Sequence, residues 1–309
     1  MEFQWYPGHM TKAKRAMQED IKLVDMVIEV VDARVPISSR NPDIDELGKN
    51  KFRLVLLNKA DLADEKKNVQ WQEWFHSRGI AVVMTDARAK NSMKTIQNTI
   101  MEVCKEKIER DRKRGIKNRP VRAMVVGIPN VGKSTFINSF AGRSCAKTGN
   151  KPGVTRGNQW IRLNKNVELL DTPGILWPKF EDQTVGLHLA FIGSIKDDIL
   201  NQEELAIELI RFLQVNYPKL LQARYGAGNE PNTAEAQVVE AQIVPEEMTW
   251  DITTAEPLKV LEQIAKLRGC LLKAGELDTK KAAALCLDDF RAGRLGRISV
   301  EVPPVAQEL

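Results

Sequence analysis

Short apolar runs punctuate the first part of this chain: MVIEVV at 26–31, RLVLL at 53–57, IAVVM at 80–84 and RAMVV at 122–126. Each is brief, rich in Val, Ile and Leu, and followed by turn or polar residues, as a strand buried on both faces requires. The stretches between them carry a helical period instead. In 92–110, Ser92 is a candidate N-cap, and Met93, Ile96, Ile100, Cys104 and Ile108 recur three or four residues apart. A single helix is expected there. Strand and helix in alternation predict a mostly parallel α/β sheet with helices on both faces. NQWIRL at 158–163 and VELL at 167–170 complete it, joined by the turn Asn164, Lys165, Asn166.

Past about residue 180 the period changes. Segments 203–215, 257–274 and 278–292 are helical in pattern with few strand signals, so residues 181–309 are expected to form an all-helical domain after an α/β domain at 1–180. Between Arg224 and Glu256 seven acidic residues stand against one arginine, and 228–256 is rich in Glu, Ala, Thr and Pro. A mobile acidic insertion is expected there.

The composition alters this picture little. The 309 residues, 43% hydrophobic and 28% charged, suit soluble globular domains. No apolar run approaches the ~18 residues of a membrane span, and MEFQWYPGHMTKAKRAM lacks the order of a secretory signal. A mitochondrial transit peptide is not expected either, because a strand-like run begins near Met26. Cys104, Cys145, Cys270 and Cys286 are scattered and without metal-ligand spacing, which fits free thiols in a cytoplasmic protein. A net charge of +5 is too mild to identify a partner by itself.

Chemistry enters with GIPNVGKS at 127–134, a GxxxxGK[ST] loop placed between a strand and a helix predicted at 133–141. Its glycines let backbone N–H groups close around a phosphate, and the helix start adds positive potential. Asn130, Val131, Gly132, Lys133, Ser134 and Thr135 are the expected phosphate contacts, with Lys133 reaching the β- and γ-phosphates and Ser134 holding Mg²⁺. DTPG at 171–174 ends a strand; Asp171 can hold a Mg²⁺-bound water and Gly174 can bond the γ-phosphate. In KPGVTRGNQ, 151–159, Thr155 is expected to complete the metal's shell, with Thr148 as the alternative in the same loop.

NKAD at 58–61 also closes a strand. One carboxylate, Asp61, can accept from both N1–H and the exocyclic amine of guanine, and adenine offers no such pair of donors. The Lys59 stem can cover the base, Asn58 can tie this loop to the phosphate loop, and Ala87 in TDARAK, 85–90, is expected to offer its N–H to the guanine carbonyl. The base-reading element therefore precedes the phosphate loop, a rotated order that a parallel sheet tolerates. It also means that the segment leaving DTPG, 175–186, runs directly toward the helical domain, so hydrolysis is expected to reposition that domain.

The residue after DTPG is Ile175, which cannot orient an attacking water, so intrinsic hydrolysis should be slow. His9, in WYPGHM, is one candidate for that work; a histidine hydrogen-bonded at a surface turn is the other reading. His76 and His188 sit in helical contexts without a motif and are read as structural.

PGHM at 7–10, DAR at 32–34, NKAD, GIPNVGKS, PGVT, DTPGIL and the terminal LDDFRAGRLGRIS together resemble the circularly permuted GTPases of the ribosome biogenesis GTPase A family, from residue 5 to about 300. The stretch 228–256 departs from that likeness. The resemblance implies GTP as substrate and GDP as product, action in late assembly of the bacterial large ribosomal subunit, and faster hydrolysis on the particle. It implies as partners the subunit precursor, its rRNA and its ribosomal proteins, with no membrane and a monomer off the ribosome. It further implies His9 in hydrolysis and stimulation by K⁺. Asn130 matches the position that coordinates K⁺ in potassium-stimulated GTPases, although a polar loop residue is the plainer reading.

Local charge agrees with an RNA partner: Lys105 to Arg122 holds nine basic and three acidic residues, and Lys259 to Arg297 nine basic and five acidic ones. The alternative function is an RNA-binding placeholder in which GTP only tunes affinity. A role in tRNA modification or ion transport is disfavoured, because neither a modification domain nor a membrane span is legible.

Overall fold

The computed structural model describes residues 10–87, 91–116, 119–142, 159–172, 182–226, 251–273 and 275–304. The chain divides into two compact units, Met1–Lys196 with Arg297–Leu309, and Asp197–Gly296.

The first unit runs α1 (Met10–Asp20), β1 (Met26–Asp32), α2 (Asp43–Leu47), β2 (Phe52–Asn58), α3 (Glu65–Ser77), β3 (Ala81–Thr85), α4 (Asn91–Val103), α5 (Lys105–Lys113), β4 (Val121–Val126), α6 (Lys133–Ala141), β5 (Gln159–Arg162), β6 (Val167–Asp171) and α7 (Gln183–Phe191). Its strands form one sheet in the order β3-β2-β1-β4-β6-β5. All neighbours are parallel except β5, which runs antiparallel on the edge. β1 is buried at every position, as its apolar run demands of a central strand. On one face Val27, Met124 and Leu170 meet Met17, Ile21 and Ile44, while Val31, Val55 and Leu57 meet Trp71 and Phe75 of α3. Each of these large side chains contributes about 1.5–3 kcal/mol by leaving water. On the other, Cys104 Sγ lies 3.7 Å from Met26 Sδ.

The chain builds outward through β1, β2 and β3, then returns to lay β4 on the other side of β1. Strand order thus reverses between β1 and β4, and a ligand crevice opens at the carboxyl ends of such strands. Those ends are Asp32, Asn58, Thr85, Val126 and Asp171.

The helix expected over 92–110 is two pieces. Cys104 takes φ −94° and ψ 10°, although the Ile108 N–H still bonds the Cys104 carbonyl at 3.0 Å. Beyond the bend the buried Lys107 lies 3.2 Å from Asp25 and 3.1 Å from Asp111, one turn further along α5.

The second unit comprises α8 (Gln202–Asn216), α9 (Pro218–Tyr225), α10 (Pro257–Leu267) and α11 (Thr279–Arg291), packed through Leu209, Leu213, Leu261, Ile264, Leu287 and Phe290. Asp289 anchors it, accepting from Arg224 Nε at 2.7 Å and Tyr225 Oη at 2.8 Å, and from Arg294. Burial alone would raise this carboxyl; those three donors hold it below its ordinary value. α10 stops at Leu267 rather than 274 because Gly269 turns left-handed (φ 60°) and the Cys270 N–H bonds back to the Ala265 carbonyl at 2.8 Å, a helix-ending arrangement.

Three boundaries differ from expectation. The first unit extends to Lys196, so α7 belongs with the sheet, and Arg297 onward returns to it. Within the expected mobile insertion, 251–256 is part of the helical unit: Ile252 is fully buried, and Gln214 Nε2 donates to the carbonyls of Ile252 and Ala255 at 2.9 and 2.7 Å. The remainder of that insertion lies outside the described residues.

Candidate functional site

The phosphate loop leaves β4 at Gly127 and enters α6 at Lys133. Two of its glycines are required by contact. A Cβ on Gly127 would stand 2.8 Å from the Val30 carbonyl, and one on Gly132 would collide with Asn58 Nδ2. Gly132 also has φ 94°, a left-handed conformation that costs other residues energy. α6 begins directly behind it without a side-chain cap. Its first amides therefore lack intrahelical acceptors, which makes that end a seat for an anion. Ser134 and Thr135 lie in this first turn.

Lys133 and Asp171 meet as an ion pair, their side chains 6% and 3% exposed. Burial pushes the Lys133 ammonium below its ordinary value, and Asp171 offsets this only in part. Two opposite charges taken out of water beside a helix start are suited to a phosphate and a divalent cation. The neighbouring Thr172 is fixed by its hydroxyl, which donates to the Val125 carbonyl at 2.8 Å.

The base-reading loop joins the phosphate loop directly. Asn58, buried at the end of β2, donates from Nδ2 to the Val131 carbonyl at 2.6 Å. Lys59 Nζ donates to the Asn130 carbonyl at 2.8 Å and to Asp32 Oδ2 at 2.8 Å. Among the described residues, Lys59 (φ 58°) and Asn130 (φ 65°) are the non-glycine residues with left-handed backbones, and they are bonded to each other. Such strain costs on the order of 1–3 kcal/mol per residue and survives where surrounding bonds over-determine it.

Asp32 is the hub beneath them. It is fully buried, and Arg34 grips it with Nε at 2.9 Å and Nη2 at 2.8 Å, a two-pronged charge-assisted contact. Burial opposes ionisation, but Arg34 and Lys59 hold the carboxyl well below the usual carboxylate range. Burial likewise lowers Lys59, against the pull of Asp32. Asp61 stands half-buried in the turn that follows.

Asn58, Lys59, Ala87, Asn130, Val131, Gly132, Lys133 and Asp171 are thus brought to one edge of the sheet, with Asp61, Ser134 and Thr135 in the adjoining turns. Ala87 differs from expectation in its partner. Its N–H donates to Asn58 Oδ1 at 2.8 Å, so reaching a base carbonyl requires that bond to be shared or exchanged. The Asn130 side chain donates to the Gly193 carbonyl at 2.5 Å, and Ser194 Oγ to the Pro129 carbonyl at 2.7 Å, so the turn that follows α7 braces the phosphate loop. His9, Thr148, Thr155, Gly174 and Ile175 lie outside the described residues. His188, read as structural, lies 3.0 Å from Glu301 Oε1 and from Ser38 Oγ.

Several residues of the basic stripes are paired with carboxylates. Arg291 pairs with Asp197 at 2.7 Å, Arg294 with Asp289, and Arg297 with Glu65 at 3.3 Å. In the other stripe Lys107 is buried, and Arg119 and Arg122 face Asp25 and Glu168 at 3.6 and 3.3 Å. Arg110, Arg112, Lys113 and Arg114, at the end of α5, are exposed. Among the described residues no group of three or more His, Cys, Asp or Glu could hold a metal, and no helix is long and apolar enough to cross a membrane. Cys104, Cys270 and Cys286 are free.

Sequence reasoning missed the Asp32–Arg34 hub as a part of the site, and with it the C-terminal segment 298–301. The available signal was position: DAR closes β1 on the edge where NKAD closes β2.

Comparison with known proteins gives concordant results. The profile of the 50S ribosome-binding GTPase family matches residues 122–217. The chain is 46% identical to the ribosome biogenesis GTPase A of Bacillus cereus, over 98% of this chain and 95% of that protein. It is 45% identical to that of Priestia megaterium, over 100% and 99%. Among solved structures, GNP-bound YlqF from T. maritima superimposes with a TM-score of 0.61 at 26% identity, covering 94% of this chain and 98% of that one.

Proposed function

The chain belongs to the ribosome biogenesis GTPase A family, and from that premise we propose that it hydrolyses GTP to GDP and phosphate during late assembly of the bacterial large ribosomal subunit. The observation that carries this reading is the join between the two loops. Asn58 and Lys59 bond the carbonyls of Val131 and Asn130, so the element that reads a purine and the element that holds phosphates form one seat.

In that seat Asp61 accepts from guanine N1–H and its exocyclic amine, which sets GTP apart from ATP. The Lys59 stem covers the base, while its ammonium stays on Asp32 and the Asn130 carbonyl. The first amides of α6 and Lys133 take the phosphates. Ser134, Thr155 and Asp171 would hold Mg²⁺, which neutralises charge on the phosphates when bound. Asn130 is the residue to hold K⁺, which would stabilise charge developing in the transition state. Water attacks the γ-phosphorus, the bond to the β–γ bridging oxygen breaks, and GDP leaves as the proton passes to solvent or phosphate. Ile175 cannot orient that water; His9 is the chain's own candidate, and the slow intrinsic step is completed on the particle.

GTP favours docking on the immature subunit and hydrolysis releases the protein. The exposed arginines and lysine at the end of α5 supply the contact to RNA phosphates. The test is depletion of the protein, sedimentation of the ribosomal particles, and GTPase assays with the isolated precursor and with His9→Ala. Immature large subunits that accelerate hydrolysis by the wild type at least tenfold, and not by the variant, are expected. A variant that loses turnover yet completes assembly would favour the placeholder reading, and normal particles after depletion would overturn both.

A further inference from the structure

The segment that follows the helical unit is bonded along its length to the base-reading side of the sheet. The helical unit ends at Gly296, and Arg297 begins the return to the first unit. The Ile298 N–H donates to the Leu62 carbonyl at 2.9 Å, and the Val300 N–H to the Arg34 carbonyl at 2.8 Å. Ser299 Oγ accepts from the Asp64 N–H at 3.0 Å. The Glu301 carboxylate accepts from the amides of Ile37 and Ser38 at 2.7 and 3.0 Å, beside His188. Ile298 and Ser299 are 1% and 0% exposed. Neither the phosphate loop nor catalysis calls for so dense an attachment.

Its anchor points bracket one residue. Leu62 and Asp64 are the exit of the turn that carries Asp61. Arg34, whose carbonyl is capped by Val300, grips Asp32, and Asp32 in turn holds Lys59, the entrance to the same turn. We propose that residues 298–301 are a positioning strap for Asp61, fixing its carboxylate where both guanine donors can reach it. The inference rests on the reading that Asp61 takes guanine. It assigns the strap to base selectivity: a loosened turn keeps its grip on a purine nucleotide's phosphates and loses the second, more exacting hydrogen bond.

Inosine diphosphate separates the two bonds, because its base keeps N1–H and lacks the exocyclic amine. Calorimetry on the full chain should show GDP bound on the order of tenfold tighter than IDP. In a chain carrying Ser299→Ala and Glu301→Gln, the Kd for GDP should rise about tenfold and that for IDP about threefold or less, narrowing the ratio. A merely structural role would move both together, and an unchanged ratio overturns the strap. Amide exchange on the unmodified chain gives a readout independent of how the variant folds. GDP should slow exchange at Ile298 and Val300 more than pyrophosphate does, and equal protection contradicts the proposal. Should the wild type itself take GDP no better than IDP, the guanine reading falls and the strap with it. Wild-type selectivity kept in the variant overturns the strap alone.

Discussion

At the phosphate end of the site, one short stretch supplies the loop and the helix start, with α6 beginning directly after Gly132, and distant residues such as Asn58 and Gly193 only brace it from outside. At the base end the neighbours come from afar. Asn58 and Lys59 bond carbonyls 73 and 71 residues away, Lys59 also needs Asp32, and Leu62 is capped by Ile298. A phosphate can be met by any loop whose amides converge, and short sequence specifies that. Distinguishing guanine from adenine needs one carboxylate held in place, and that demands bracing from several parts of the fold.

The comparison can be broken first at the phosphate end. Lys133→Met leaves the Asp171 carboxylate buried without its cation, and chemical denaturation should register a loss of about 3–5 kcal/mol. Adding Asp171→Asn to the same chain should recover most of it. A loss below ~1 kcal/mol would mean that the pair is solvated and contributes little to holding this end together.

Gly132→Ala acts at the join itself. The new Cβ strikes Asn58 Nδ2, on a backbone at φ 94°, so a change in the phosphate loop should be felt at the base. GDP affinity should fall by about 2 kcal/mol, roughly thirtyfold, and pyrophosphate affinity should fall less, because that loss carries the strain of the loop without the disturbance at Asn58. Equal losses for both ligands would show that the two ends are not joined through Asn58.

The smallest effect sharpens the base end. Asp32→Asn keeps the shape of the hub and removes its charge, so Lys59 loosens and GDP affinity should drop by about 1 kcal/mol. This carboxyl titrates below its ordinary value when folded. Its stabilising contribution is therefore complete above the unfolded pKa of ~3.9 and is lost as pH falls through the folded value. Denaturant midpoints measured as pH drops below about 4 should decline less steeply for the variant. Parallel acid limbs would remove Asp32 from the account.

The same contrast explains which parts of the fold and the site are legible in the sequence. All six strands lie within two residues of the runs that predict them: the five parallel strands because their buried positions need continuous Val, Ile and Leu, and the exposed edge strand β5 because the turn at 164–166 pairs it with β6. α6 starts at Lys133, where the loop motif places it. What stayed illegible depends on distant partners. Nothing adjacent to Arg34 announces that its carbonyl receives the Val300 N–H. The break at Cys104 lies inside an unbroken helical period, and beyond it Lys107 meets Asp25. Likewise, the basic count near the C-terminus could not show that Arg291 is paired with Asp197, which lies 94 residues earlier in the chain.

Titration calorimetry of GDP, ADP and xanthosine diphosphate against the wild type and Asp61→Asn tests the centre of this account. The wild type should bind GDP and ignore ADP. The variant, whose amide donates where the carboxylate accepted, should lose about 3 kcal/mol for GDP, roughly a hundredfold, and gain xanthosine diphosphate, which carries a carbonyl in place of the amine. A wild type that takes ADP as readily as GDP, or a variant that binds GDP undiminished, would contradict it.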